Sequence, residues 1–238
     1  GQQSVEDFPN QLAELVAFAG DGFPEGHTFR AVVAEPRDVP LPPIWILGSS
    51  DYGAQMAANL GVGFAFARHM NPRGAEEMVS LYRETFRPSP ALPEPRAILA
   101  LSAVCADTAA RAEDLVASMG LAVINMRSGR PAPLPTPEDA LAYPYNDAER
   151  DHIRRYRRAQ VVGDARAVHD EIVDLVERTQ ADEVMVMTMV HDHAERLRSH
   201  RRPASRMGRE TDRAGTRRPP TSRVDGDHHE VAHRSVSS

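Results

Sequence analysis

The chain has 238 residues, 41% of them hydrophobic, enough for one sizeable domain and too few for two complete ones. No stretch reaches the roughly 18 unbroken apolar residues of a membrane span. The opening GQQSVEDF also lacks the basic and apolar regions of a secretory signal, so no membrane partner is expected and the cytoplasm is the default location. The single cysteine, Cys105, excludes an internal disulfide and a cysteine-based zinc site, so the fold must rest on its core.

The formal charge of -6 is unevenly spread. All 28 basic residues are arginine, a bias that fits GC-rich coding better than a binding requirement. Residues 199–238 hold nine arginines against five acids and no Leu, Ile, Phe, Tyr or Trp, leaving little apolar surface to offset the entropy of ordering. They are expected to form a disordered Arg-rich tail after a domain over residues 1–198. The tail's charges alternate in sign and no aromatic side chain is present to stack on bases, which argues against a nucleic-acid partner.

In chain order, residues 8–20 place Phe8, Leu12, Leu15 and Val16 on one helical face, with Pro9 tolerable in the first turn, so a docking helix is expected. Residues 20–43 are rich in Gly and Pro and read as a loop with a short strand at 29–33. The apolar run at 44–47 ends in Gly48-Ser49-Ser50, after which Tyr52, Met56 and Leu60 fall at helical spacing: strand, turn, helix. The pattern repeats with a strand at 64–67 and a helix opened by Asn71-Pro72 that buries Met78, Val79, Tyr82 and Phe86. A third unit has a strand at 97–105 and a helix capped by Asp107 that buries Ala112, Leu115, Val116 and Met119.

Residues 128–146 form a Pro-rich stretch longer than the roughly 12–15 residues of a plain connection, so a lid or binding loop is expected there. Asn146 or Asp147 caps a polar helix through Arg158. Gly163-Asp164 starts a helix with Val168, Ile172, Leu175 and Val176 inward, followed by a strand at 183–190 and a last helix from about Asp192. Strands apolar on both faces, separated by amphipathic helices, specify an α/β fold with a parallel sheet. The four strands fall short of the eight of a closed (β/α)8 barrel, so the sheet is open or something is missing.

The segment with most chemistry is Gly48-Ser49-Ser50-Asp51-Tyr52. After a strand and at the start of a helix, free backbone N–H groups and the positive end of the helix dipole converge, and small residues let an anion approach. Hydroxyls of Ser49, Ser50 and Tyr52 add donors. A phosphate cradle and ordinary helix capping by Ser49, Ser50 or Asp51 both fit this spacing. His191-Asp192-His193 follows the last strand, but no third ligand at metal-site spacing is visible, so Asp192 is expected as a cap and the histidines as pocket-edge groups. His69 holds a similar position beyond its strand, whereas His27, His152 and His169 read as solvated. Cys105 reads as a buried small hydrophobe and Trp45 as core, the alternating Met185, Met187 and Met189 as core packing with contact to a flat ligand as the alternative, and Arg154, Arg155, Arg157 and Arg158 as a solvated face.

Four segments carry a family resemblance: PPIWILGSSDYGAQMAANLGVGFAFARHMNP, RPAPLPTPEDALAYPYNDAER, the start Val161-Val162-Gly163, and ADEVMVMTMVHDHAERLRS. In order and length, residues 1–198 resemble the C-terminal part of the luciferase-like, flavin-dependent monooxygenases, the branch similar to alkanal monooxygenase. The resemblance implies the C-terminal half of a TIM-like (β/α)8 barrel, reduced FMN as cofactor, O2 as co-substrate, and a small organic substrate such as an aldehyde or alkane. A flavin reductase as source of reduced FMN and a homo- or hetero-oligomer would fit that implication. It makes Gly48, Ser49, Ser50, Asp51 and Tyr52 the holders of the flavin phosphate, makes residues 128–146 an insertion able to cover the active site, and requires no metal. The chain begins at what resembles the family's fourth helix, so the first four strands and the family's catalytic histidine have no counterpart and catalytic residues stay unassigned. Such a half barrel is expected to be marginal unless another chain supplies the rest. The arginine-rich residues from about 200 replace the family's apolar docking stretch, as a frameshifted or unrelated C-terminus would. The rival readings are a deazaflavin (F420)-dependent oxidoreductase of the same superfamily and a non-catalytic remnant or interaction module.

Overall fold

The computed structural model describes residues 7–20, 22–36, 39 and 41–213. Helix α1 (Phe8–Ala19) precedes a regular alternation: β1 (Trp45–Gly48), α2 (Asp51–Leu60), β2 (Gly63–Ala67), α3 (Ala75–Thr85), β3 (Ala97–Ala106) and α4 (Ala109–Arg127). Two further helices, α5 (Pro137–Ala142) and α6 (Asp147–Arg157), lead to β4 (Gln160–Asp164), α7 (Ala165–Thr179), β5 (Glu183–Met187) and α8 (His193–Arg213). All pairings are parallel, in the order β1-β2-β3-β4, with β5 also on β3. β3 is long enough to serve both partners: residues 98–102 pair with β5 and residues 102–106 with β4. Parallel pairing brings the C-terminal ends of the strands to one edge of the sheet, where ligands of α/β proteins bind.

Every residue of β2 and β3 is buried, as expected of parallel strands covered on both faces. On one face Ile46, Phe64, Phe66, Leu99 and Leu101 meet Ala54, Ala57 and Ala58 of α2, Val79 and Tyr82 of α3, and Val168, Ile172 and Leu175 of α7. Each fully buried large side chain contributes about 1.5–3 kcal/mol. A smaller cluster joins Val104 and Ala106, further along β3, to Ala112, Leu115 and Val116 of α4 and to Val190. The helix faces read from the sequence are thus the ones that pack, with Met78, Phe86 and Val176 at the margin of the main core.

Tyr82 shows how the core handles a polar tip: its hydroxyl donates to the carbonyl of Val62 (2.9 Å) and accepts from the amide of Arg96 (3.1 Å). Burial pushes this phenol's pKa up.

Several expectations are corrected. A fifth strand, β4, occupies residues where a helix start was read, and Asp164 caps α7 by accepting from the amides of Arg166 and Ala167 (both 2.9 Å). Residues 29–33 form turns rather than a strand, with the amide of Val32 bonded to the carbonyl of Phe29. α3 begins after Gly74 rather than at Asn71, and the side chain of Thr108 rather than Asp107 caps α4. β5 ends at Met187, not at residue 190, and its Met185 (55% exposed) and Met187 face solvent instead of packing in the core. Trp45 is half-buried, while α1 has no fully buried residue and only Leu12 reaches the main core.

α8 also extends past residue 198. α8 runs through Arg213, the 2% exposed Ser199 accepts the amide of Cys105 on its hydroxyl (2.8 Å), and Arg202 pairs with Asp107 (2.7 Å). These contacts are polar, so a reading based on apolar content missed them. The rest of the expected tail, residues 214–238, lies outside the described residues. Among the described residues, no helix is long and apolar enough to cross a membrane.

Candidate functional site

The turn after β1 is packed too tightly for side chains. A Cβ on Gly48 would lie 3.3 Å from the Cα of Gly53, and one on Gly53 would lie 3.3 Å from the Cα of Gly48, with the Phe64 ring beneath both. The chain therefore crosses directly over the first turn of α2. Ser50 stands at the N-cap in extended conformation (φ -140, ψ 169), yet its side chain makes no capping bond. Asp51 accepts the Tyr52 amide on Oδ1 (2.8 Å), so part of the capping role falls to the acid.

The turn after β2 closes against this one. Asn71 donates from Nδ2 to the carbonyl of Ser49 (3.0 Å) and accepts the amide of Arg73 on Oδ1 (3.2 Å). Between the two turns opens a groove of about 880 Å³, lined by Ser49, Ser50 and Asp51 on one side and Asn71, Arg73 and Gly74 on the other. It continues between α2 and α3 past Gln55, Glu77 and Glu84. Ser50 and Gly74 are the N-caps of α2 and α3, so two helix N-termini and their positive dipole ends border one space. Among the described residues the Arg73 guanidinium has no carboxylate in ion-pair range. The groove thus carries one guanidinium, Arg73, and three carboxylates, Asp51, Glu77 and Glu84, with the serine hydroxyls and the two helix N-termini at one end.

Of the five residues singled out in the sequence, Ser49, Ser50 and Asp51 line the groove, Gly48 packs behind it, and Tyr52 is 40% exposed without being part of its lining. Sequence reasoning missed Asn71 and Arg73 as groove residues because Asn-Pro read as a helix start. The signal available was the strand-then-polar pattern common to both units, Leu47-Gly48-Ser49 and Ala67-Arg68-His69.

The histidine motif beyond β5 resolves into separate contacts. Asp192 accepts the amide of Glu195 on Oδ1 (2.7 Å), which makes it the expected cap, and His193 Nδ1 lies 2.7 Å from Arg196. His191 Nδ1 lies 2.8 Å from the carbonyl of Leu134 in the Pro-rich stretch. No group of three or more metal-ligating side chains occurs among the described residues. His69 is part-buried at the end of β2 with Nδ1 3.4 Å from the carbonyl of Ala100. Cys105 is buried in the main core, as expected. His169, read as solvated, is instead 6% exposed, with Nδ1 3.0 Å from Asp170. In the arginine series, Arg157 departs from a purely solvated role by pairing with Glu113 of α4 (2.6 Å) and donating to the carbonyl of Gln160.

α8 is docked at the same edge by charge. Glu195 bonds Arg198 (3.0 Å) and stands 3.8 Å from Arg202 and 3.9 Å from Arg111. The hydrogen bond from Arg198, with the three guanidinium charges, holds the Glu195 carboxyl below its usual pKa despite the opposing effect of burial. A carboxylate depressed on folding stabilises above its unfolded pKa, and the contribution is lost as pH falls through the folded value. Urea unfolding should therefore show Glu195→Gln less stable than the parent at pH 7, with the gap closing toward about pH 3. A gap independent of pH would contradict this role.

An open parallel sheet with helices packed against it and a polar groove at its C-terminal edge is an α/β architecture. The luciferase-like monooxygenase model matches residues 10–183, and the chain belongs to that family. It is 34% identical over 195 residues to a luciferase-like monooxygenase of Escherichia coli (strain K12), covering 82% of this chain and 57% of that protein. It is 28% identical over 200 residues to an N-acetyl-S-alkylcysteine monooxygenase of Bacillus subtilis (strain 168), covering 84% of this chain and 59% of that one. The crystal structure of apo-MsnO8 superposes with a TM-score of 0.73 at 30% identity, covering 87% of this chain and 62% of that chain. The chain thus spans about three fifths of the length of the relatives it matches.

Proposed function

We propose that this chain is the portion of a flavin-dependent monooxygenase that holds the phosphate of FMN, within a protein that oxygenates a small organic molecule such as an aldehyde or alkane. The observation that carries the reading is the groove where Ser49, Ser50 and Asp51, the N-termini of α2 and α3, and Arg73 converge. These residues fit a phosphate. The close packing of Gly48 on Gly53 leaves the turn thin, Ser50 makes no capping bond with its side chain, and Arg73 supplies positive charge. In this reading Ser49 and Ser50 are the hydroxyl donors, and Asp51 shapes the turn through its bond to the Tyr52 amide. Reduced flavin supplies electrons to O2, one oxygen atom going to the substrate and the other to water, while the protein binds and orients. A flavin reductase delivering reduced FMN suits a site reached from the open edge of the sheet.

Titration of the chain with FMN, followed by flavin fluorescence, tests the reading. The double variant Ser49→Ala/Ser50→Ala and the single variant Arg73→Ala should each weaken binding about tenfold or more, the loss expected for hydrogen bonds to a charged group. Affinity unchanged by both would remove the cradle.

A further inference from the structure

The His191-Asp192-His193 motif has an explanation in the Pro-rich stretch rather than in a metal. A carbonyl oxygen only accepts, so the 2.8 Å contact from His191 Nδ1 to the carbonyl of Leu134 requires Nδ1 to carry the proton. At His193 the arginine is the donor, so Nδ1 accepts and that ring holds its proton on Nε2. The two rings are fixed in opposite tautomers by their partners and serve separate purposes.

The contact at His191 joins residues 57 positions apart. On one side is the end of the last strand, anchored by the 3% exposed Val190 in the cluster with α4. On the other side is a segment poor in means of holding itself, since Pro131, Pro133 and Pro135 have no N–H to donate. Its first turn is tied down by the Arg130 amide on the carbonyl of Asn125 (2.9 Å). Its far end is fixed by α5, which Thr136 caps through the amide of Asp139 (3.1 Å). The imidazole of His191 grips the span between these two anchors at the C-terminal edge of the sheet.

We propose that His191 is a positioning residue whose Nδ1–H holds the Leu134 carbonyl and so fixes residues 131–136 against the segment that follows β5.

Hydrogen exchange by mass spectrometry on the chain is the test, read at the hydrogen-bonded amides that flank the span, Arg130 at one end and Asp139 and Ala140 at the other. His191→Ala should speed their exchange about tenfold, and His191→Asn, whose side-chain amide can donate from nearly the same place, should restore most of the protection. Imidazole NMR should show the Nδ1–H tautomer at His191 and the Nε2–H tautomer at His193. Unchanged exchange in His191→Ala, no rescue by His191→Asn, or an Nε2–H tautomer at His191 would overturn the tether.

Discussion

Phe64→Ala is expected to lower the unfolding free energy by about 4 kcal/mol, a large share of the roughly 5–15 kcal/mol that keeps a domain folded. Phe64 is fully buried on β2, its ring centroid 5.5 Å from that of Tyr82 and 6.4 Å from that of Phe66. The same ring lies under the Gly48 and Gly53 crossing, so the cavity would open beneath the turn after β1 as well as in the core. The loss combines the transfer free energy of the removed ring with the cost of the space left behind. Urea unfolding reads it directly, with Phe64→Leu as a control that fills most of the volume and should cost far less. An alanine variant within about 1 kcal/mol of the parent would mean that Phe64 is not the packing centre of this face. FMN affinity should fall in the same variant even where it remains folded, because the turn loses its support.

Gly61→Ala is expected to be nearly as damaging, at about 3 kcal/mol or more, and for a different reason. Gly61 ends α2 with φ +64, a left-handed conformation costly for any residue with a Cβ. Its amide bonds the carbonyl of Ala58 (3.3 Å), and the next amide, of Val62, bonds that of Ala57 (3.1 Å), the paired bonds of a Schellman cap. A Cβ there would meet the backbone carbonyl oxygen of Arg87 at 2.6 Å and the Cβ of Ser89 at 2.7 Å. Neither can step aside cheaply. The Arg87 amide is bonded to Ala58, and the Ser89 hydroxyl donates to the Gly61 carbonyl (2.8 Å). Thermal unfolding should show a fall of several degrees in Tm, and Asn at this position, which tolerates the left-handed region better, should not rescue because the clash remains. A Tm unchanged by Gly61→Ala would show that residues 87–89 do not press on the cap.

Elements whose signal is local could be read from the order of residues alone. Continuous apolar runs made β1, β2 and β3 legible, because a parallel strand covered on both faces has no polar side to show. The period of Val168, Ile172 and Leu175 marked the buried face of α7, and Asn146 announced α6 with a capping box shared with Glu149. The glycine-serine turn after β1 was legible too, since small residues between a strand and a helix have few other uses.

Only the tertiary structure decided what depends on partners distant in the chain. β4 is a strand because β3 is long enough to pair with it past the end of β5, which no periodicity in five residues records. Asn71 and Arg73 join the groove because β1 and β2 lie side by side, bringing their turns together. Met185 and Met187 lie on the face of β5 that, among the described residues, nothing covers, whereas Val184 and Val186 on its other face pack on the core, a difference that composition does not record. Ser199, Arg202 and His191 act through polar contacts to residues 94, 95 and 57 positions away. A hydrogen bond needs only one donor and one acceptor in place, so unlike a buried apolar face it leaves no repeating pattern in the chain.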